Sequence, residues 1–385
     1  MATNSQEKPA YGRVLAVVTL IAVALVVVGW MNDPDQFFRS YLVAWLFWVA
    51  LSVGSMTLLL LHNLTGGAWG WAIRRTLLAA AGTMPLVAVL FVPIVIGMQK
   101  IYVWSDPLVV QNDPILQHKE PYLNWYDFVL RTGIYFLIWL SLAFFVRWQA
   151  RRKSAPSEDQ ARRERVISGL GLGLSGLAVT FASVDWGMSL EPHWWSAIYG
   201  VQFMVSQGLA ALAFGIVATV YWPKLNRVGQ VASPQQLHDL GKLLLGFVML
   251  WTYMAFSQFL IIWYGNLPED NVWYIARIEH GWQILAFVIP VFHFMLPFCI
   301  LLGREVKRNP NTLAAVALWI LVMRWLDTVW LIEPAFKRDT YFIPWLDLAL
   351  TVAIGGVWLA LFAWQLPPEA MATAPSKKRE VLAHG

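Results

Sequence analysis

Asp185, Glu191 and His193 stand within one stretch, FASVDWGMSLEPHWWSAIYGVQF (181–203), among tryptophans and between two apolar runs. Carboxylates and an imidazole are the usual material of proton transfer, and the imidazole titrates near neutral pH. Glu191 and His193 also make half of a metal site. A zinc ion needs further ligands, with His280 as one candidate donor, and no metal site is expected.

Other ionisable groups lie inside apolar runs: Asp127, Arg131, His293, Arg324, Asp327 and Asp347. A charge at the centre of a membrane span costs about 2.5–3.5 kcal/mol on insertion scales, so such groups face a bundle interior or a cavity. Asp127 with Arg131 and Arg324 with Asp327 are spaced so that each pair could neutralise itself along one helix face. His293 falls between Pro290 and Pro297, where prolines release backbone carbonyls. Tyr253, Ser257 and Gln258 add uncharged hydrogen-bonding groups, whereas His238, Asp239 and Lys242 read as interfacial. Together Asp127, Arg131, Asp185, Glu191, His193, Tyr253, His293, Arg324 and Asp327 are the candidate lining of a proton path.

The elements that must carry these groups follow from composition. The 385 residues are 58% hydrophobic and 13% charged, where a soluble domain is about a quarter charged. Apolar runs of spanning length recur, roughly at 12–30, 39–62, 73–98, 124–148, 166–188, 195–222, 240–264, 281–303, 311–332 and 344–366. The expected fold is an all-α integral membrane protein of ten helices, two four-helix bundles plus two flanking helices. The first run is read as a retained anchor, because it is longer than a signal-peptide core and no small-residue cleavage site follows it.

Most of the 28 basic residues fall in the N-terminus, the Arg74–Arg75 turn, the 147–165 loop, the Lys224–Lys242 and Arg304–Arg308 loops and the Lys377–Arg379 tail. By the positive-inside rule both termini are expected in the cytoplasm, and the net charge of +5 is no sign of nucleic-acid binding. The parts are then an anchor helix and first outer loop (1–37), and a first bundle (38–165) with a basic cytoplasmic loop at 149–165. The remaining bundle helices (166–335) and a tenth helix with a polar tail (336–385) follow. Segment 99–123 is the largest outward loop and a candidate docking surface.

Several motifs carry no chemistry. GLGLSG (171–176) matches a dinucleotide fingerprint but lies in an apolar helix, where Gly169, Gly173, Gly176 and Thr180 read as a small-residue packing stripe. The single cysteine, Cys299, rules out an internal disulfide, a haem-attachment motif and an iron–sulfur cluster, and reads as a small buried apolar residue. His280 and His293 could hold two haems only with a second histidine pair on another helix, and the remaining histidines provide none. A single haem through His293 stays open.

DWGMSLEPHWWSAIYGVQF, with LHNLTGGAWGWAIRR (61–75) and AFSQFLIIWYGNLPEDNVWY (255–274), resembles the ActF subunit of alternative complex III, over about 38–335. That family of bacterial quinol:electron-acceptor oxidoreductases is related to the polysulfide-reductase (NrfD-like) membrane subunits. The resemblance implies ten spans in the bacterial inner membrane and a place in a respiratory or photosynthetic chain. It also implies partners: an ActC-like membrane subunit, an iron–sulfur subunit and c-type cytochromes. Haem c, iron–sulfur clusters and quinone or menaquinone would then reside in those partners, with no cofactor bound by this chain. The family role is scaffolding, with proton translocation or a quinone site as further expectations. The Asp185–Glu191–His193 stretch would be a docking loop or the outer mouth of a polar path, its tryptophans anchored at headgroup level. Two other readings remain: a stand-alone secondary transporter, and the quinol-binding anchor of an iron–sulfur or molybdenum reductase.

Overall fold

The computed structural model describes residues 10–152, 157–226, 232–337 and 343–366. Residues 1–9, 153–156 of the basic loop, Arg227 and the tail with Lys377 and Arg379 lie outside the described residues. The helices are α1 (Ala10–Asn32), α2 (Pro34–Thr65), α3 (Ala68–Ile96), α4 (Trp125–Ala150) and α5 (Glu158–Trp186). They continue with α6 (Tyr199–Asn226), α7 (Pro234–Gly265), α8 (Pro268–Ile278), α9 (Gln283–Leu302), α10 (Pro310–Ile332) and α11 (Trp345–Gln365). Among the described residues there is no strand. Nine of the described helices are long and apolar enough to cross a membrane, which is the build of a multi-pass membrane protein. The described apolar part of α1, Ala16–Asn32, falls short of that length.

Local sequence sets where these helices start. Asp33 and Asn309 cap α2 and α10 through their side-chain oxygens, each with proline at the first helical position. Ser157 with Gln160 and Ser233 with Gln236 form reciprocal capping boxes on α5 and α7. Between α2 and α3, Gly66 and Gly67 adopt φ of 68° and 96°, a conformation that favours glycine, and His62 Nε2 meets the Gly67 carbonyl at 3.1 Å. The LTGG stretch is thus a tight turn.

Short connections make successive spans antiparallel. One end of the bundle carries the long segments 97–124, 187–198 and 266–282. The opposite end carries the basic turns, and there Asn63 of α2 bonds both Gln149 of α4 and Ser168 of α5. At the centre α2 packs against α6. Around this pair, α2 also meets α3, α4, α5 and α11, while α6 meets α3, α5, α7 and α10; α1 lies on α11. The α2–α6 approach depends on Gly54, where a Cβ would run into the Gln207 backbone carbonyl.

Two spans are interrupted by prolines, and tryptophan repairs both. In α3 the Phe91 N–H bonds Ala88, leaving the Val87 carbonyl to the Trp45 indole at 2.9 Å, while Tyr41 takes the Leu90 carbonyl at 2.7 Å. In α9, Ile289–Met295 is a π-helical stretch. Pro297 has no N–H for the Phe292 carbonyl, which accepts the Trp319 indole N–H at 2.8 Å. An unpaired carbonyl in apolar surroundings is costly, so these indoles stabilise the breaks, Trp45 inside the bundle and Trp319 on its outer surface.

Cys299 and the small-residue stripe depart from the sequence expectation. Cys299 is exposed on α9, because it follows the outward face of that helix beyond Pro297. The small-residue stripe is only partly a packing seam: Gly173 faces open space, Gly169 lies near Leu64, Gly176 near Met204, and Thr180 packs against Gly200. Since Gly54 faces a backbone carbonyl that cannot swing aside, Gly54→Val should destabilise the protein by about 1–3 kcal/mol. The same change at Gly173 should do much less. Thermal unfolding of both variants in one detergent checks this.

Candidate functional site

The three groups of the 181–203 stretch separate in space. Asp185, at the end of α5, is fully buried, and Arg131 from α4 grips it in a fork, Nε to Oδ2 at 3.0 Å and Nη2 to Oδ1 at 2.9 Å. Tyr135 donates to the same carboxylate at 2.8 Å, and the Arg131 guanidinium lies 3.8 Å from the centre of the Tyr122 ring. The neighbouring Trp186 is locked among Trp45, Phe91, Phe136 and Trp139, with its indole N–H on Thr132. Burial, then the Asp185 charge, push the Tyr122 phenol up to about 12 against the opposing pull of Arg131.

Asp127 therefore does not neutralise Arg131, contrary to their i,i+4 spacing. Its carboxylate accepts from the Asn124 side chain at 2.8 Å, in the first turn of α4, where a negative charge faces the helix N-terminus. The reach of a long guanidinium toward a fully buried carboxylate on another helix outweighs the local pairing.

Glu191 turns to the second half of the bundle. It pairs at 2.7 Å with Arg277 of α8, and both are buried. Arg277 also donates to the carbonyls of Trp273 and Leu331, and its guanidinium covers the Trp273 ring at 3.7 Å. Trp194 stacks on Trp273 with centroids 4.9 Å apart. Trp194 is therefore buried and only Trp195 of that pair is exposed, so the headgroup-anchor expectation fails for Trp194 because its flat face has an aromatic partner.

His193 faces solvent and meets Asp113 of the 97–124 segment at 2.7 Å. Partial burial pushes the Asp113 carboxyl up, but the N–H groups of Leu116 and Ile115 and the His193 ring outweigh it and hold it below its ordinary value. Lys119 joins the same contact through the Pro192 carbonyl at 2.5 Å, and burial pushes its ammonium down. The long loop is thus tied onto the 191–194 turn.

Deeper in the second half, Arg324 and Asp327 do pair with one another, as their spacing predicts. His293 lies nearby, fully buried in the π-helical stretch, its ring 4.0 Å from the Trp251 ring centre and neither nitrogen hydrogen-bonded. Tyr253 is 63% exposed on the outside of α7, so it lines no interior route. A cavity of about 370 Å³ opens between α7, α8, α9 and α10, walled by Trp251, Phe256, Phe259, Trp273 and Trp330, with Asp327 and Gln202 as polar lining.

No protein-family model matches this chain, and no curated protein matches it. The residues themselves must then carry the functional reading. Tyr102 and Tyr199, which the sequence did not single out, connect the groups. Tyr102 is within electrostatic reach of Asp185 and Tyr199, and Tyr199 of Glu191, Arg277 and Asp327. Asp185, Tyr102, Tyr199, the Glu191–Arg277 pair and Asp327 thus form a string of neighbouring buried polar groups, with the Tyr102 hydroxyl donating to the Trp186 carbonyl at 3.2 Å. Arg277 escaped the sequence reading because α8 looks like an ordinary amphipathic surface helix; its burial depends on Trp273 and the end of α10. Among the described residues no three His, Cys, Asp or Glu side chains gather as metal ligands.

Removing one member of a buried ion pair leaves the other charge unpaired, at about 3–5 kcal/mol, whereas removing both costs much less. Arg131→Met and Asp185→Leu should therefore each lower the unfolding temperature more than the double variant does. The Asp113 tie has a pH signature. A carboxyl held below its ordinary value stabilises its contacts above that value and loses them as pH falls through the lowered one. Hydrogen exchange at the Ile115 and Leu116 amides should thus stay slow at neutral pH and accelerate in acid below the usual carboxylate range. In Asp113→Asn it should show no such acid step.

Proposed function

We propose that this chain is an integral subunit, without a redox centre of its own, of a quinol-oxidising complex of the alternative complex III kind in a bacterial cytoplasmic membrane. In this reading it has ten spans, with the basic end and both termini in the cytoplasm. Haem c, iron–sulfur clusters and quinone belong to an ActC-like subunit, an iron–sulfur subunit and c-type cytochromes. The observation that carries the reading is the meeting of two of the stretches that resemble ActF. Glu191 pairs with Arg277 just beyond the 255–274 stretch, and Trp194 stacks on Trp273 within it. The unusual residues of both stretches are spent on one rigid face, onto which Asp113 and Lys119 draw the long loop. Such a face suits the docking of peripheral subunits.

The polar string from Asp185 to Asp327 supports a proton-translocating role beside the scaffold. A further quinone site in this chain, beside that of the partners, is supported by the cavity next to α9, which is apolar with a carboxylate on its wall, as a quinone ring with a prenyl tail would require. The same cavity also favours a second reading, a stand-alone secondary transporter, because it adjoins a span broken by a π-helical stretch and two prolines.

Gentle solubilisation of native membranes and capture of this chain separate the two. The subunit reading expects a large assembly with covalent haem c in its optical spectrum, iron–sulfur signals in its electron paramagnetic resonance and quinol oxidation activity. A colourless chain recovered intact, alone or as a homo-oligomer, overturns it in favour of transport.

A further inference from the structure

Apart from the polar string, four carboxylate oxygens stand together without a completed hydrogen bond. Glu333, in the turn after α10, and Asp347, in the first turn of α11, are each 0% exposed. The two carboxyl groups lie against one another, with Gln36 and Ser40 as neighbouring donors, and none of their four oxygens completes a hydrogen bond of ordinary length and angle. Gln36 of α2, 5% exposed, faces Glu333, and Ser40 faces Asp347. The Gln36 Nε2 donates to Ser40 at 3.0 Å, while its Oε1 is a further buried acceptor without a donor.

Among the described residues, two cations face this pocket. Arg39 faces it from α2, its guanidinium 5.0 Å from the Phe336 ring centre, and Lys337 faces it from the turn. At the end of α1, Asp33 is occupied with the Gln36 backbone N–H. The Trp282 indole holds the turn by donating to the Lys337 carbonyl at 2.9 Å.

Hydrogen-bond accounting decides what the pocket lacks. An ionised carboxylate only accepts, and two of them shielded from water repel each other while losing their hydration. Gln36 and Ser40 carry fewer donor hydrogens than the four carboxylate oxygens need. A proton on either carboxyl supplies the missing donor, since its O–H can bond the other carboxylate, and it removes the like-charge repulsion. The one remaining negative charge is balanced by the field of Arg39 and Lys337.

We propose that Glu333 and Asp347 form a proton-binding site in which two carboxyl groups from different helices share one proton. The step is an acid–base exchange: a hydronium ion gives its proton to a carboxylate oxygen and leaves as water, and release reverses it. The site lies at the end of the bundle that carries the long segments, on the α2–α10–α11 contact, and it does not rest on the partners proposed above.

Infrared spectroscopy of the full chain in lipid nanodiscs tests this at neutral pH. The wild-type protein should show a protonated-carboxyl C=O band that shifts in heavy water, and Glu333→Gln/Asp347→Asn should lose it. Glu333→Gln and Asp347→Asn alone should each move the pH midpoint at which the band titrates. A double variant with the wild-type band intact overturns the proposal. So does loss of the wild-type band when choline is replaced by sodium at constant pH, which would make the pocket a metal-cation site. If the double variant fails to fold, the single variants decide: a band that titrates as in wild type in both overturns the proposal.

Discussion

In an apolar bundle of spanning helices, a buried charge or a released carbonyl left without a partner is costly. That constraint shapes this protein more than any hydrophobic contact does, because the apolar surfaces can pack in many ways and the polar groups cannot. The Arg131 fork on Asp185 joins α4 to α5, and the Arg277 contacts join the 187–198 turn to α8 and to the end of α10. Each such pair stabilises one arrangement by making the alternatives leave a charge uncovered.

The same constraint gives the many tryptophans a structural task. An indole is a large apolar body with one N–H donor, which suits an interior that contains scattered unpaired carbonyls. Trp45, Trp48, Trp282 and Trp319 all donate to backbone carbonyls on other segments. Two of those carbonyls lie in α3 and α9, where prolines interrupt the helical ladder. The broken stretches are thus held in defined geometry, and His293 occupies one of them beside Trp251.

Distribution of polar groups along the bundle is uneven, and this bears on function. The buried ionisable clusters lie toward the end with the long segments, while the basic turns lie at the other. The carboxylates and phenols of the polar string gather toward the first end. The stacked Trp194 and Trp273 make a rigid wall beside it. The proposed subunit role and the acid pair at Glu333 and Asp347 both draw on this asymmetry. They differ in kind, since docking uses the face and proton binding uses the buried pocket at the α2–α10–α11 contact.

The long apolar runs are local signals, and they made the helical build of this protein legible from sequence alone. So was the Arg324–Asp327 pair, because both partners sit on one helix at a spacing that backbone geometry enforces. Partners across helices were not legible. The residues Asp185, Glu191 and His193 are neighbours in the chain, yet Asp185 goes to Arg131, Glu191 to Arg277 and His193 to Asp113. The chain turns sharply after α5, and each side chain takes the partner that the turn presents to it. Glu333 escaped for a related reason: it follows the last apolar residue of its span, and only the approach of α8 and of the Gln36 and Asp347 side chains to that turn buries it. Sequence periodicity determines which residues must leave water, whereas tertiary packing decides which polar groups meet once they have left it.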